Sequence, residues 1–292
     1  MKGELKDHDM PRDEEIKAQE HNSDEEAKMD PEPIYDNPTH KGYGRLSNKV
    51  AIVTGGDSGI GRAISVAYAK DGADLVIVYF DSNDDADKTK KIVEEYGSRC
   101  ILMNGDLGES SFSKKIIEKT ISEFHRLDII VNNAAEQHPK DSLEVISDDQ
   151  LERTFRTNIF SMFYLVREAL PHLKEGAAVI NTNSVTSYAG NPQLIDYSAT
   201  KGAITSFTRS LSLNLASRKI RVNQVAPGPI WTPLIPSTFS GDDVKNFGKN
   251  VPLDRPGQPV ELAEAYVFLA SDGSTYMTGQ TLHINGGEII NG

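Results

Sequence analysis

Seven short runs of aliphatic and β-branched residues, separated by longer stretches of helical period, predict an α/β protein: a doubly wound parallel sheet of seven strands with helices on both faces. Two features carry this. The runs are nearly continuously apolar, as strands covered on both faces are. Helical stretches separate most of them, in the β-then-α order of a parallel sheet, whose neighbouring strands are joined only by long crossovers. This is the Rossmann layout, and right-handed crossovers are expected.

The runs are VAIVT at 50–54, DLVIVYF at 74–80, RCILMN at 99–104, DIIVNN at 128–133, AAVINTN at 177–183, RVNQVA at 221–226 and QTLHIN at 280–285. Helices are expected to begin near Ile60, Asp84, Ser111, Asp148, Tyr197 and Pro259. No repeat of solenoid length is visible. Residues 227–258 break the rhythm with Pro227, Pro229, Pro233, Pro236, Pro252 and Pro256, so no regular helix is expected through the whole of them. A loop this long in a compact domain is usually functional or disordered, and it is read as a substrate lid.

The chain has 292 residues, 38% hydrophobic and 25% charged, enough apolar material for one sizeable core. Its excess polarity is concentrated at the start. Residues 1–49 hold 13 Asp/Glu against 8 Lys/Arg, with Pro11, Pro31, Pro33 and Pro38 among them. Such a segment is expected to bury too little apolar surface to offset its ordering entropy. Residues 1–45 are therefore read as a polar, largely irregular extension and 46–292 as one folded domain.

The start has no basic stretch followed by an apolar run, and no apolar stretch approaches the ~20 residues that span a bilayer, so a cytoplasmic protein is expected. A net charge of −12 counts against nucleic acid or anionic membranes as partners and leaves a small molecule. The single cysteine, Cys100, excludes an internal disulfide and a cysteine-based metal cluster; within RCILM it reads as a buried strand residue. The seven histidines show neither HExxH nor Cys/His spacing, and no metal is expected.

After the first strand comes TGGDSGIG, Thr54 to Gly61, leading into a helix. Gly55, Gly59 and Gly61 allow a tight turn, close approach of a pyrophosphate and close packing of the helix, whose first amides and partial positive charge face that phosphate. Asp57, Ser58 and Ile60 fall within the same turn. Asp81 follows the second strand, about 20 residues past the glycines, where a carboxylate can accept hydrogen bonds from the adenosine ribose. It would also repel the 2′-phosphate of NADP, and residues 81–85 contain no Arg or Lys, so NAD is the expected cofactor. Arg62 keeps NADP open. The competing role for Asp81 is to cap the following helix.

The strongest signal is the set Asn158, Ser184, Tyr197 and Lys201. Tyr197 and Lys201, four apart in YSATK, project from one helix face. An ammonium so placed stabilises tyrosinate and lowers the phenol pKa from its usual ~10, as a general acid/base near neutral pH requires. Ser184, after the fifth strand, can hydrogen-bond a substrate oxygen. A Tyr and a Lys at this spacing also occur by chance in amphipathic helices.

Taken together, these residues resemble the short-chain dehydrogenase/reductase family over essentially all of residues 48–287. TGGDSGIG matches the family's cofactor turn, Asp106–Leu107 its adenine contact, and NNAA at 132–135 its sheet-stabilising motif, with Ala135 in place of the usual last glycine. The resemblance adds Asn133, Ala134 and Ala135 to the cofactor site. Asn158, Ser184, Tyr197 and Lys201 fall on the catalytic tetrad in order. PGPIWT at 227–232 matches the segment over the nicotinamide, implying contacts from Pro227, Gly228, Ile230 and Thr232. TGQTLHINGG at 278–287 matches the C-terminal strand region, with Asn285 where Asp is common. The N-terminal extension and the GGDSGIGR wording look most like bacterial stress-associated oxidoreductases and aldehyde reductases.

The resemblance implies hydride transfer between nicotinamide and a carbonyl or alcohol. Tyr197 and Lys201 would also hold the nicotinamide ribose, Ser184 and Tyr197 would polarise the carbonyl, Tyr197 would pass the proton, and Asn158 would hold a relay water. A homotetramer is implied, through the helices at 150–170 and 197–217 and the C-terminal GGEIING. His138, Trp231 and Gln137 are pocket candidates, against readings as surface histidine, lid packing and solvated loop residue. The alternatives are a sugar or polyol dehydrogenase of the same family, a nucleotide sensor without chemistry, and an acidic tail acting as an interaction arm.

Overall fold

The computed structural model describes residues 5–12, 15–21 and 26–290; the rest of the expected extension, and the last two residues of GGEIING, lie outside the described residues. The expected strands form as β1 (Val50–Thr54), β2 (Asp74–Tyr79), β3 (Cys100–Asn104), β4 (Ile129–Asn132), β5 (Ala178–Thr182), β6 (Arg221–Pro227) and β7 (Thr281–Ile284). They make one sheet in the order β3-β2-β1-β4-β5-β6-β7, with every pairing parallel. Chain order reverses between β1 and β4, so the loops leaving those two strands diverge and open a crevice at the carboxyl edge.

The helices are α1 (Gly59–Lys70), α2 (Asn83–Glu95), α3 (Ser110–Phe124), α4 (Asp148–Phe155), α5 (Ser161–Ala169), α6 (Thr186–Ala189), α7 (Ile195–Leu215), α8 (Gly241–Lys245) and α9 (Pro259–Ala270). Strand residues alternate between two apolar layers, as the pleat demands. Ala51, Val53, Leu75 and Ile77 pack with Ile64 and Tyr68 of α1 and Leu262 and Tyr266 of α9. Val50, Ile52, Val76 and Val78 face Ile116 of α3 and Leu165 and Val166 of α5. Pro259 in the first turn and a Gln258–Glu261 capping box start α9 sharply. A π-turn, Arg156–Phe160, joins α4 to α5. The short helices α6 and α8 were beyond the reach of periodicity, which needs more than a turn to register. Residues 227–258 otherwise run as turns. No helix among the described residues is long and apolar enough to cross a membrane.

The extension departs from expectation in one respect. Among its described residues regular structure amounts to short 3₁₀ turns, such as Asp7–Asp9 and Glu26–Lys28, yet it buries apolar side chains. Ile16 and Met29 pack with Trp231, Ile235 and Val244 of the 227–258 segment. The indole Nε1 donates to the Pro31 carbonyl at 2.8 Å. The apolar surface this segment cannot offer itself is supplied by the loop it crosses. Its acids meet cations of the domain: Asp7 with Arg255 (2.9 Å), Glu32 with Lys88 (2.7 Å), Asp36 with Lys70, and Glu26 with Arg62.

Candidate active site

A cleft of about 530 Å³ lies along the carboxyl edge of the sheet, from Asp81 and Asp106 at one end to Ser184 and Tyr197 at the other. The glycine turn forms its middle. Gly59 enters α1 with φ +49°, a conformation that favours glycine. Gly61 does not line the cleft: a Cβ there would sit 1.7 Å from the Gly55 carbonyl, so its absence is what lets α1 pack onto the turn.

Polar side chains sew the turn to the next strands. Thr54 Oγ1 accepts the backbone N–H groups of Asn133 (2.8 Å) and Ala134 (3.1 Å), and Asn133 Nδ2 donates to the Gly55 carbonyl at 3.1 Å. Asn132 Nδ2 donates to Asn181 Oδ1 on β5, whose own Nδ2 donates to Thr208 on α7, both at 2.8 Å. The NNAA segment thus holds β1, β4, β5 and α7 in register. Asn285 caps the turn after β7, donating to the Glu288 carbonyl (2.9 Å) and accepting from the Gly287 N–H (3.2 Å).

Of the cofactor residues expected from sequence, all but Gly61 line this cleft: Gly55, Asp57, Ser58, Gly59, Ile60, Asp81, Asp106, Leu107, Asn133, Ala134, Ala135, Tyr197, Lys201, Pro227, Gly228, Ile230 and Thr232. Asp81 is not the cap of α2; that position is Ser82. Burial pushes the Asp57 carboxyl up to about 6. The fit to a dinucleotide rests on chemistry present here: a turn whose close packing excludes a side chain, a helix N-terminus along it, and a carboxylate at the end of β2.

At the other end, Tyr197 and Lys201 project from the first turns of α7, with the Lys201 ammonium 5.2 Å from the centre of the Tyr197 ring. Lys201 Nζ donates to the Thr182 carbonyl at 3.0 Å. The expected lowering of the phenol does not occur. Burial pushes Tyr197 up to about 12, against the opposing pull of the Ser184 hydroxyl, and burial draws Lys201 down to about 7. Both groups are enclosed, and desolvation disfavours the charged form of each.

Two other residues singled out from sequence lie away from the cleft. Asn158, on the π-turn, is fully buried and does not line the cleft; its Oδ1 accepts the Glu136 N–H at 2.9 Å, and its Nδ2 donates to the Glu136 carbonyl (2.9 Å) and Thr200 Oγ1 (3.2 Å). Its side chain braces the β4 loop against α7. Arg62 cannot serve a 2′-phosphate, because it is fully buried between Glu26 and Asp85 (2.6 Å). Among the pocket candidates, Trp231 is buried in lid packing and His138 lies outside the cleft. Gln137 lines it, and its Nε2 donates to Thr238 Oγ1 of the 227–258 segment at 2.9 Å. Glu136, Arg153, Thr186, Asn191 and Glu288 also line the cleft, and none carried a local signal in sequence. In the cluster His40, Asp71 and Glu264, both carboxylates already pair with the Arg45 guanidinium, Asp71 at 2.8 Å and Glu264 at 3.0 Å.

The family model described as enoyl-(acyl carrier protein) reductase matches residues 55–288. The chain is 58% identical to the uncharacterized oxidoreductase YhdF of Bacillus subtilis, over 91% of this chain and 92% of that one. It is 48% identical to the glucose and ribitol dehydrogenase of Daucus carota, over 94% and 96%. A short-chain dehydrogenase from Burkholderia cenocepacia in complex with NADP superposes with TM-score 0.78 at 30% identity, covering 83% of this chain and 98% of that one. A 3-ketoacyl-(acyl-carrier-protein) reductase from Brucella melitensis complexed with NADH gives 0.76 at 29%, with the same coverage.

Proposed function

The chain belongs to the short-chain dehydrogenase/reductase family and is an NAD(P)-dependent oxidoreductase, and from that premise we propose that it transfers hydride between nicotinamide and a small carbonyl or alcohol, with Tyr197 as general acid/base. The observation that carries the reading is the meeting of Ser184, Tyr197 and Lys201 at one end of a cleft whose middle is the glycine turn. When bound, the nicotinamide supplies or takes the hydride. Ser184 and the Tyr197 hydroxyl then hold the substrate oxygen, and Tyr197 gives it a proton. Burial keeps the Tyr197 phenol protonated at neutral pH, so the proton it would pass to the substrate oxygen is in place. Lys201, at about 7, can share the proton load from below the ring. Asn158 acts by fixing the Glu136 backbone against α7.

A second reading, oxidation of a sugar or polyol, is favoured by polar groups lining the cleft, Gln137, Asn191, Asn250 and Glu288, and by the carrot relative. Following NADH and NADPH against small aldehydes and ketones, and the oxidised nucleotides against sugars and polyols, tests both. Turnover of aldehydes and ketones alone supports the first reading, polyol oxidation alone the second, and silence in both arms contradicts both.

Asp81, with Arg62 withheld, favours NAD over NADP. Asp81→Arg is expected to move the NADPH/NADH ratio of kcat/KM toward NADPH by about tenfold or more, on the scale of one charge-assisted contact; an unchanged ratio removes Asp81 from that role. A homotetramer is supported by exposed Leu151, Phe160, Phe163 and Leu213 on α4, the π-turn, α5 and α7, and light scattering at micromolar concentration should return about four times the 32.1 kDa chain mass. A cytoplasmic enzyme without nucleic-acid partners fits the net charge of −12.

A further inference from the structure

We propose that Glu26, delivered by the N-terminal extension, is a positioning residue for the dinucleotide: it completes the phosphate-binding turn from behind. The inference rests on assigning the glycine turn to the pyrophosphate. Ser58, which precedes α1, makes no side-chain cap bond. The first amide of α1 is satisfied instead by a residue 33 positions away, since Gly59 N–H donates to Glu26 Oε2 at 2.6 Å. Glu26 is fully buried and does not line the cleft, so it grips the turn on the side away from the ligand.

Four further contacts make this grip specific. The other carboxylate oxygen of Glu26 pairs with Arg62, one helical turn along α1. Glu26 N–H donates to Asp85 Oδ2 at 3.0 Å, and Arg62 Nη2 reaches Asp85 Oδ1 at 2.6 Å. Arg62 Nε donates to the Asp57 carbonyl at 3.0 Å, within the turn itself. One acid thus binds the turn at Gly59 directly and at Asp57 through Arg62. The arrangement matches what a diphosphate site needs. A lone carboxylate behind the turn would repel the ligand; here Arg62, shared between Glu26 and Asp85, offsets that charge while the carboxylate fixes the turn's geometry. A turn held in its binding conformation before the ligand arrives loses less freedom on binding.

The test is equilibrium binding of NADH, ADP and adenosine to the full-length wild type, Glu26→Ala and Glu26→Gln, by calorimetry or competition well below the melting temperature. In the wild type ADP should bind much more tightly than adenosine; equal affinities would overturn the assignment of the turn to phosphate, and the inference with it. Glu26→Ala should weaken NADH and ADP by about tenfold and leave adenosine nearly unchanged. Glu26→Gln keeps an acceptor for Gly59 but removes the negative charge that faces Arg62, and should show the same ligand pattern at smaller size; it also serves if the alanine variant does not fold. Unchanged NADH and ADP affinity in the variants, or an equal loss for adenosine, would reduce Glu26 to a structural residue and overturn the proposal.

Discussion

The sheet-borne floor of the cleft and the extension that crosses its far side are held by different physics. The floor rests on two apolar layers and on side-chain amides linking adjacent strands, such as Asn132 to Asn181. The extension contributes one small apolar cluster and a series of carboxylates, each meeting a cation of the domain. Apolar burial is general and additive, whereas a buried pair contributes little net stability but is expensive to break from one side. The floor therefore tolerates conservative change, and the extension depends on a few matched residues.

That contrast can be broken at Trp231, which belongs to the lid but is covered by Ile16 and Met29 of the extension. Trp231→Ala is expected to lower stability by about 3–5 kcal/mol, as deletion of a buried aromatic does. Proteolysis should accelerate first within residues 227–258. A loss under about 1 kcal/mol by denaturant titration would mean that the extension merely lies on the domain.

Asp57 sharpens the comparison from the cleft side, with a smaller effect. Burial raises its carboxyl to about 6. An acid whose folded pKa lies above its unfolded value binds protons more tightly when folded, so this group's ionisation lowers stability as pH rises from about 4 to about 6. Asp57→Asn should therefore stabilise the protein by about 1–2 kcal/mol at neutral pH, the full shift being discounted for water in the cleft, and have little effect below about pH 4. Equal melting temperatures of the two proteins at neutral pH would show the carboxyl to be well solvated.

Much of the fold was legible because its signals are local. Nearly continuous apolar runs mark strands covered on both faces, and each of the seven forms within a residue or two of its expected limits. The glycine turn and the Tyr197–Lys201 pair were legible for the same reason: backbone conformation and helical spacing are properties of a few adjacent residues. What was not legible depends on partners distant in the chain. Glu26 is one acid among many in its segment, and only its burial against Gly59 and Arg62 sets it apart. Nothing near Trp231 names Pro31 as the acceptor for its indole. The phenol's direction was misjudged because spacing reports that an ammonium is near, while enclosure, a property of the whole fold, sets the desolvation that outweighs it. Asn158 fell on the catalytic pattern, and only three dimensions show its amide engaged by Glu136 and Thr200.

The most direct test of the central claim is Tyr197→Phe, measured as kcat with a carbonyl substrate found in the nucleotide assay and, separately, as NADH affinity. The ring and its packing are kept, and only the transferable proton is removed. The account predicts a fall in kcat of about 10²–10⁴-fold, the usual contribution of a positioned general acid, with NADH affinity nearly unchanged. Wild-type turnover in the variant would contradict it.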